Sequence, residues 1–226
     1  MNFIFPVDHN KEMAFLTAES QQQYGDLGLQ NVPGGIEVAR DEVRLEEFRR
    51  RMTSAKAWGI ESELLTTDQI KELVPFINEE IIIGGFYTPS VSVVDSLETG
   101  TQMRLRAQNA GNLEVFANTE VLDIETTEDQ IGIKKVNAVV TSRGRIEAEY
   151  VVIACGVWSD RVANMAGATI PLTPAVHQMA DVGPIDVLAE TNNEIGYPIV
   201  RDMDTFCYER QTAGSMEVGS YDHRPI

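Results

Sequence analysis

Apolar positions recur at helical spacing in the first half of the chain and alternate with a period near two from about residue 113 onward, which predicts helices and sheets in one mixed fold. Met13, Leu16 and Tyr24 place a short helix over 9–24 with Gly25 as its stop. The NVPGG stretch (31–35) is a turn by composition, and GIEVA after it alternates as a short strand. Asp41 is suited to cap a helix that begins at Glu42, reaches Trp58 and stops at Gly59. TTDQIKELVP (66–75) predicts a second capped helix, ended before Pro75. EEIIIGGFYTP favours a strand with a close backbone approach at Gly84 and Gly85. Asp95 or Ser96 then caps a helix whose face is Leu97, Met103, Leu105 and Ala107. Gly100 weakens that helix by about 1 kcal/mol relative to Ala, as expected where something packs closely against the turn.

From 113 to 156 the alternation, broken by TTEDQ and SRGR, reads as a meander of three or four strands. Its last member, YVVIACG, is a continuous apolar run, which predicts a strand buried on both faces. WSDRVANMAG follows as a short helix with Ser159 or Asp160 at its N-cap and Gly167 at its end. Strand-like segments return in LTPAVHQMADV, PIVRDMDTFCYERQ and SMEVGSYDHRPI. Alternation puts Phe206, Tyr208 and Arg210 on one face of the middle segment and Cys207, Glu209 and Gln211 on the other. The expected fold class is α+β, a mixed α/β arrangement of a sheet with flanking helices. Ending on HRPI directly after a strand, the chain reads as cut from a longer one.

Charge and cysteine usage narrow the partners. With 35 acidic against 18 basic residues, the net charge of −17 repels polyanions, so neither nucleic acid nor an anionic membrane is an expected partner. Arg44, Arg49, Arg50, Arg51 and Lys56 are interleaved with Asp41, Glu42, Glu46 and Glu47, the pattern of a solvated helix face. Cys155 and Cys207 form no CxxC pair and are expected to be buried, inert thiols. No uniformly apolar run approaches the length of a membrane span, and MNFIFPVDHNKE lacks the basic start of a signal peptide. A cytoplasmic location is the resulting expectation.

No motif for phosphate cradling, an activated serine or a zinc ion is present, and His9, His177 and His223 are far apart in sequence, so no metal site is expected. Six stretches taken together, however, resemble one family in order: GGIEVARDEVRLEEFRRRM (34–52), GGFYTPSVSVVD (84–95), NTEVLDIE (118–125), VVIACGVWSDRVANMAG (151–167), PLTPAVHQM (171–179) and PIVRDMDTFCYERQ (198–211). They are similar to the FAD-dependent amine oxidoreductases of the D-amino-acid oxidase superfamily, most of all to the dimethylglycine and sarcosine dehydrogenase or oxidase group.

The resemblance implies a substrate domain in 1–95 and 169–226 and an interior part of a discontinuous FAD domain in 96–168. It implies that Ala154, Cys155 and Gly156 let the backbone lie against FAD beside Trp158, with Val121 near the adenine. Read without it, Gly156 serves a strand-to-helix turn, Trp158 fills a core gap and Val121 is core. His177 and Tyr208 resemble the active-site pair of dimethylglycine-type enzymes. An imidazole, which titrates near ~6.5 in model peptides, can accept or relay the proton of an amine that a phenol positions. A hydrogen-bonded core histidine and a half-buried tyrosine are the plain alternative. Arg210 meets either a substrate carboxylate or a local acid. The family's glycine-rich pyrophosphate element, the histidine that tethers FAD covalently in this group and the folate module often fused after it are not found in the sequence, and SVSVV stands where much of the family has a Gly-Asp-Gly-like turn.

The expected activity is that of part of an enzyme oxidising N-methylated glycine derivatives by hydride transfer to flavin. Its partners would be a small-molecule amine and a complementary chain or a second copy, and the chain by itself would bind FAD weakly or not at all. Another amino-acid oxidase, such as a glycine or D-amino-acid oxidase, and an inactive interaction subunit are the competing expectations.

Overall fold

The computed structural model describes residues 2–8, 10–191 and 193–225. In chain order the strands and helices are β1 (Asn2–Ile4), α1 (Lys11–Asp26), β2 (Gln30–Asn31), β3 (Gly35–Ala39), α2 (Glu42–Ala57), β4 (Glu63–Leu65), α3 (Thr67–Leu73), β5 (Gly84–Thr88), β6 (Ser92–Val94) and α4 (Ser96–Asn109). They continue as β7 (Val121–Glu128), β8 (Lys134–Thr141), β9 (Gly144–Glu147), α5 (Ser159–Ala163), β10 (Ala175–Val182), α6 (Asp186–Ala189), β11 (Ile199–Asp202), β12 (Cys207–Thr212) and β13 (Ser215–Pro225). This is the expected mixed α/β class, and the chain divides into two compact units.

The first unit, Met1–Ala110 with His177–His223, is built on a sheet in the order β10-β13-β12-β11-β3-β5-β4. Strand β11 runs parallel to β3, whereas β11–β12, β12–β13, β3–β5 and β4–β5 are antiparallel. A smaller antiparallel sheet, β1-β6-β2, belongs to the same unit. Helix α2 packs on the large sheet through Phe48, whose ring stacks on Phe86 of β5 at 5.8 Å. Burying a side chain of that size stabilises by about 1.5–3 kcal/mol. On the other side of β3, Ile36 and Val38 join Ile70 and Val74 in a second cluster.

Local signals placed several elements well. The Asp41 side chain accepts from the backbone N–H of Arg44 at the start of α2, and Gly59 takes the left-handed conformation after its end. In α3 a full capping box joins Thr66 and Gln69. Helix α1 runs two residues beyond the expected stop, to a left-handed Gly28, because Gly25 is accommodated as an ordinary helical residue; His9, at the expected start, lies outside the described residues.

Three burial expectations are corrected. In α1 the buried residue is Ala14, while Met13 and Leu16 are exposed. In α4 the apolar positions Leu97 (83% exposed), Met103 and Leu105 face outward, only Thr99 is buried, and nothing approaches Gly100. Amphipathic spacing reports a face that could be buried, and among the described residues nothing covers these two. Arg51, read as part of a solvated helix face, is instead buried and donates to both oxygens of Glu37 at 2.6 and 3.0 Å. A Glu in the middle of β3 requires such a partner, because an uncompensated buried carboxylate costs several kcal/mol.

The second unit, Gly111–Val176 with Arg224–Ile226, carries the expected meander as an antiparallel sheet β7-β8-β9. Here the largest correction falls. Residues 149–155 form no strand: Tyr150 is 86% and Val152 88% exposed, and no described residue pairs with their backbone in a ladder. An apolar run becomes a buried strand only when neighbours flank it on both edges and both faces. Cys155 is exposed rather than buried, and Cys207 is half-buried.

Candidate active site on the large sheet

Register brings the catalytic candidates together. In the β12–β13 ladder Tyr208 lies opposite Gly219 and Arg210 opposite Glu217, so these four share one sheet face, with Arg201 of β11 opposite Tyr208 on its other side. A Cβ on Gly219 would lie 2.1 Å from the Tyr208 ring, so only glycine leaves space for the phenol to lie across β13. The edge strand β10 supplies His177, whose Nε2 is 3.4 Å from the phenol oxygen, its ring 5.8 Å from the Tyr208 ring and nearly parallel to it. His177 Nδ1 lies 2.8 Å from Nε2 of His223 on β13.

Glu217 ties the cluster to the sheet. Its carboxylate accepts from Arg210 Nε at 2.8 Å, from Arg210 Nη2 at 2.6 Å and from the Tyr208 hydroxyl at 3.1 Å. Hydrogen bonding to Arg210 holds the Glu217 carboxyl below its ordinary value, against the opposing effect of burial. Burial, the Glu217 charge and its hydrogen bond push the Tyr208 phenol up to about 12, so it keeps its proton at neutral pH. Arg210 therefore meets a local acid, the second of its two expected roles. The sequence singled out neither Glu217 nor Gly219. The signal was the pairing of YER with EVG across a short turn, legible only once the register is known.

Asn2, Phe3, His177, Met179, Tyr208, Glu217 and Tyr221 line a cavity of about 550 Å³. Phe3 meets the Tyr208 ring edge-on at 4.8 Å, and Tyr221 lies 5.4 Å from it, so the phenol is held by aromatic walls. Just beyond, the Arg201 guanidinium lies over Phe5 and Tyr221, 4.6 and 5.1 Å from their centroids. A larger depression of about 700 Å³ at the end of α2, lined by Met52, Lys56, Ile60 and neighbours, shares no residue with this cavity and holds no histidine or tyrosine. Among the described residues no group of three or more His, Cys, Asp or Glu side chains is placed to hold a metal. No helix of the described residues is long and apolar enough to cross a membrane.

The residues expected to face a dinucleotide all belong to the second unit. Val121 opens β7, paired with Thr141 and half-buried. Ala154, Cys155 and Gly156 are exposed, Trp158 is 66% exposed, and Gly156 is left-handed with open space where a Cβ would be. Small side chains and free backbone facing open space fit the close approach of an extended ligand. The helix that follows has no side-chain N-cap; Asp160 accepts instead from the backbone N–H of Ile170 at 2.8 Å.

Known proteins resemble the chain over most of its length. The chain is 32% identical over 218 residues to mitochondrial sarcosine dehydrogenase of Mus musculus, covering 96% of this chain and 23% of that protein. It is 27% identical to mitochondrial dimethylglycine dehydrogenase of Homo sapiens, covering 84% of this chain and 21% of the relative. It thus spans between a fifth and a quarter of their lengths. In fold it matches the crystal structure of L-proline dehydrogenase from P. horikoshii with a TM-score of 0.84 at 22% identity, over 97% of this chain and 58% of that one. A family model described as FAD dependent oxidoreductase matches residues 8–225, and the chain belongs to that family.

Proposed function

We propose that the chain forms the substrate-binding sheet and part of the cofactor wall of an FAD-dependent enzyme that oxidises N-methylated glycine derivatives at the carbon–nitrogen bond. The observation that carries this reading is the Tyr208–His177 pair lining a cavity together with Phe3 and Tyr221. The similarity to sarcosine and dimethylglycine dehydrogenases supports the substrate class.

In this reading the Tyr208 oxygen receives the N–H of a secondary amine such as N-methylglycine, His177 beside it holds the phenol in place, and Phe3 and Tyr221 exclude water from the amine's apolar side. Arg210 acts through Glu217 and does not itself line the cavity. FAD, when bound, supplies the acceptor for a hydride from the carbon beside the nitrogen. Ala154, Cys155, Gly156 and Trp158, with Val121, are the residues of this chain that would lie against it.

The exposed apolar run at 150–158 supports a further polypeptide segment, in the same or a separate chain, that pairs with this run and completes the cofactor site. Anaerobic reduction of flavin by N-methylglycine, N,N-dimethylglycine and glycine, followed by absorbance in the FAD-loaded protein, tests the reading. Reduction by the methylated amines and little by glycine is expected. Reduction by glycine alone favours the glycine oxidase alternative, and reduction by none of the three overturns the reading.

A further inference from the structure

One group in the cluster dictates the direction of every proton in it. Glu217 takes three donors, two from Arg210 and one from Tyr208. Paired in this way it is ionised, and an ionised carboxylate can only accept. A phenol has a single proton, so the Tyr208 proton is committed to Glu217. The Tyr208 oxygen can then meet His177 Nε2 only as an acceptor, and Nε2 must carry a hydrogen. Neutral His177 is left with a bare Nδ1, 2.8 Å from His223 Nε2, which must in turn be the donor. Other charged or titratable groups facing the chain do not relieve this constraint. Tyr221 on β13 meets Tyr208 ring to ring, Arg201 on β11 stacks over Tyr221, and Asp181 on β10 acts on Arg210 through charge.

We propose that Glu217 is a positioning residue: by taking the phenol proton it fixes His177 and His223 as their Nε2–H tautomers and makes the Tyr208 oxygen an acceptor for the N–H of a bound amine. The ring nitrogen left open to take up a proton is then Nδ1 of His223, an exposed residue. The statement about a bound amine rests on the amine-oxidation reading; the proton order does not.

Long-range proton–nitrogen NMR of the 226-residue chain, labelled at histidine and recorded where both imidazoles are neutral, reads the tautomers directly. Nε2–H on both His177 and His223 is the expected result, and a predominant Nδ1–H form of His177 overturns the proposal. In the double variant Arg210→Met/Glu217→Leu, which leaves no lone buried cation, the phenol is free to donate and His177 shifts toward Nδ1–H. In Tyr208→Phe, which keeps the Arg210–Glu217 pair, His177 loses its single-tautomer preference. An unchanged His177 spectrum in either variant overturns the proposal. Failure of every amine to reduce flavin would remove the functional reading and leave these spectra as predicted.

Discussion

Gly219 lies directly opposite Tyr208 in the β12–β13 ladder, and a side chain there would occupy the space of the phenol ring. This is why a glycine interrupts an otherwise continuous eleven-residue strand. Gly219→Ala is expected to displace the ring, break its bond to Glu217 and destabilise the fold by about 1–3 kcal/mol, the usual cost of overpacking. Urea unfolding measures the loss. A phenolate titration should show the tyrosine near 12 moving toward the ordinary ~10.

The Glu217–Arg210 pair makes stability depend on pH in a defined direction. Because the folded pKa of Glu217 is depressed, its contribution is full above the unfolded carboxylate value of ~4.3 and is lost as pH falls through the folded value. Glu217→Gln should therefore be less stable than the parent by about 3 kcal/mol at pH 7, since it leaves Arg210 buried without a counter-charge. That gap should close as pH falls from the unfolded carboxylate value through the depressed folded one. Tyr208, raised, behaves oppositely: its contribution is full below ~10 and is lost as pH rises through about 12. Unfolding curves of both proteins from acid to alkaline pH check both signs.

Glu37 and Arg51 are expected to behave as one unit. Glu37→Gln or Arg51→Met alone strands a buried charge and should cost about 3–5 kcal/mol, while replacing both with apolar residues should cost much less. A double-mutant cycle by chemical denaturation measures the coupling.

Tyr150 and Val152 should make the chain self-associate. Val152→Ser combined with Tyr150→Ser is expected to lower the associated fraction in sedimentation velocity without lowering the unfolding midpoint, because neither side chain is packed. A lowered midpoint would mean that the run is buried in solution.

How far the sequence could be read depended on whether a signal was local. Asp41 and Gly59 around α2, the Thr66–Gln69 box and the alternation of the meander are decided within a few residues, and each is where its chemistry predicts. Tyr208 and His177 were singled out through family likeness, and the sheet brings them within hydrogen-bond reach. Arg51 reads as a surface charge, and Glu37 and Glu217 carry no signal of their own, because the partners of all three are chosen by long-range register. YVVIACG was misread for the converse reason. Its composition asks for neighbours on every side, and among the described residues those neighbours are not in place.

In the proposed site the Tyr208 oxygen, held by His177, meets the reacting amine. Its most direct test is the first-order rate of flavin reduction by N-methylglycine in the FAD-loaded protein, compared with His177→Asn and Tyr208→Phe. Loss of the oxygen that positions the amine, or of the imidazole that holds that oxygen in place, predicts a fall of about 100-fold or more in each, with flavin still bound. Reduction at the parental rate in both variants would contradict the account.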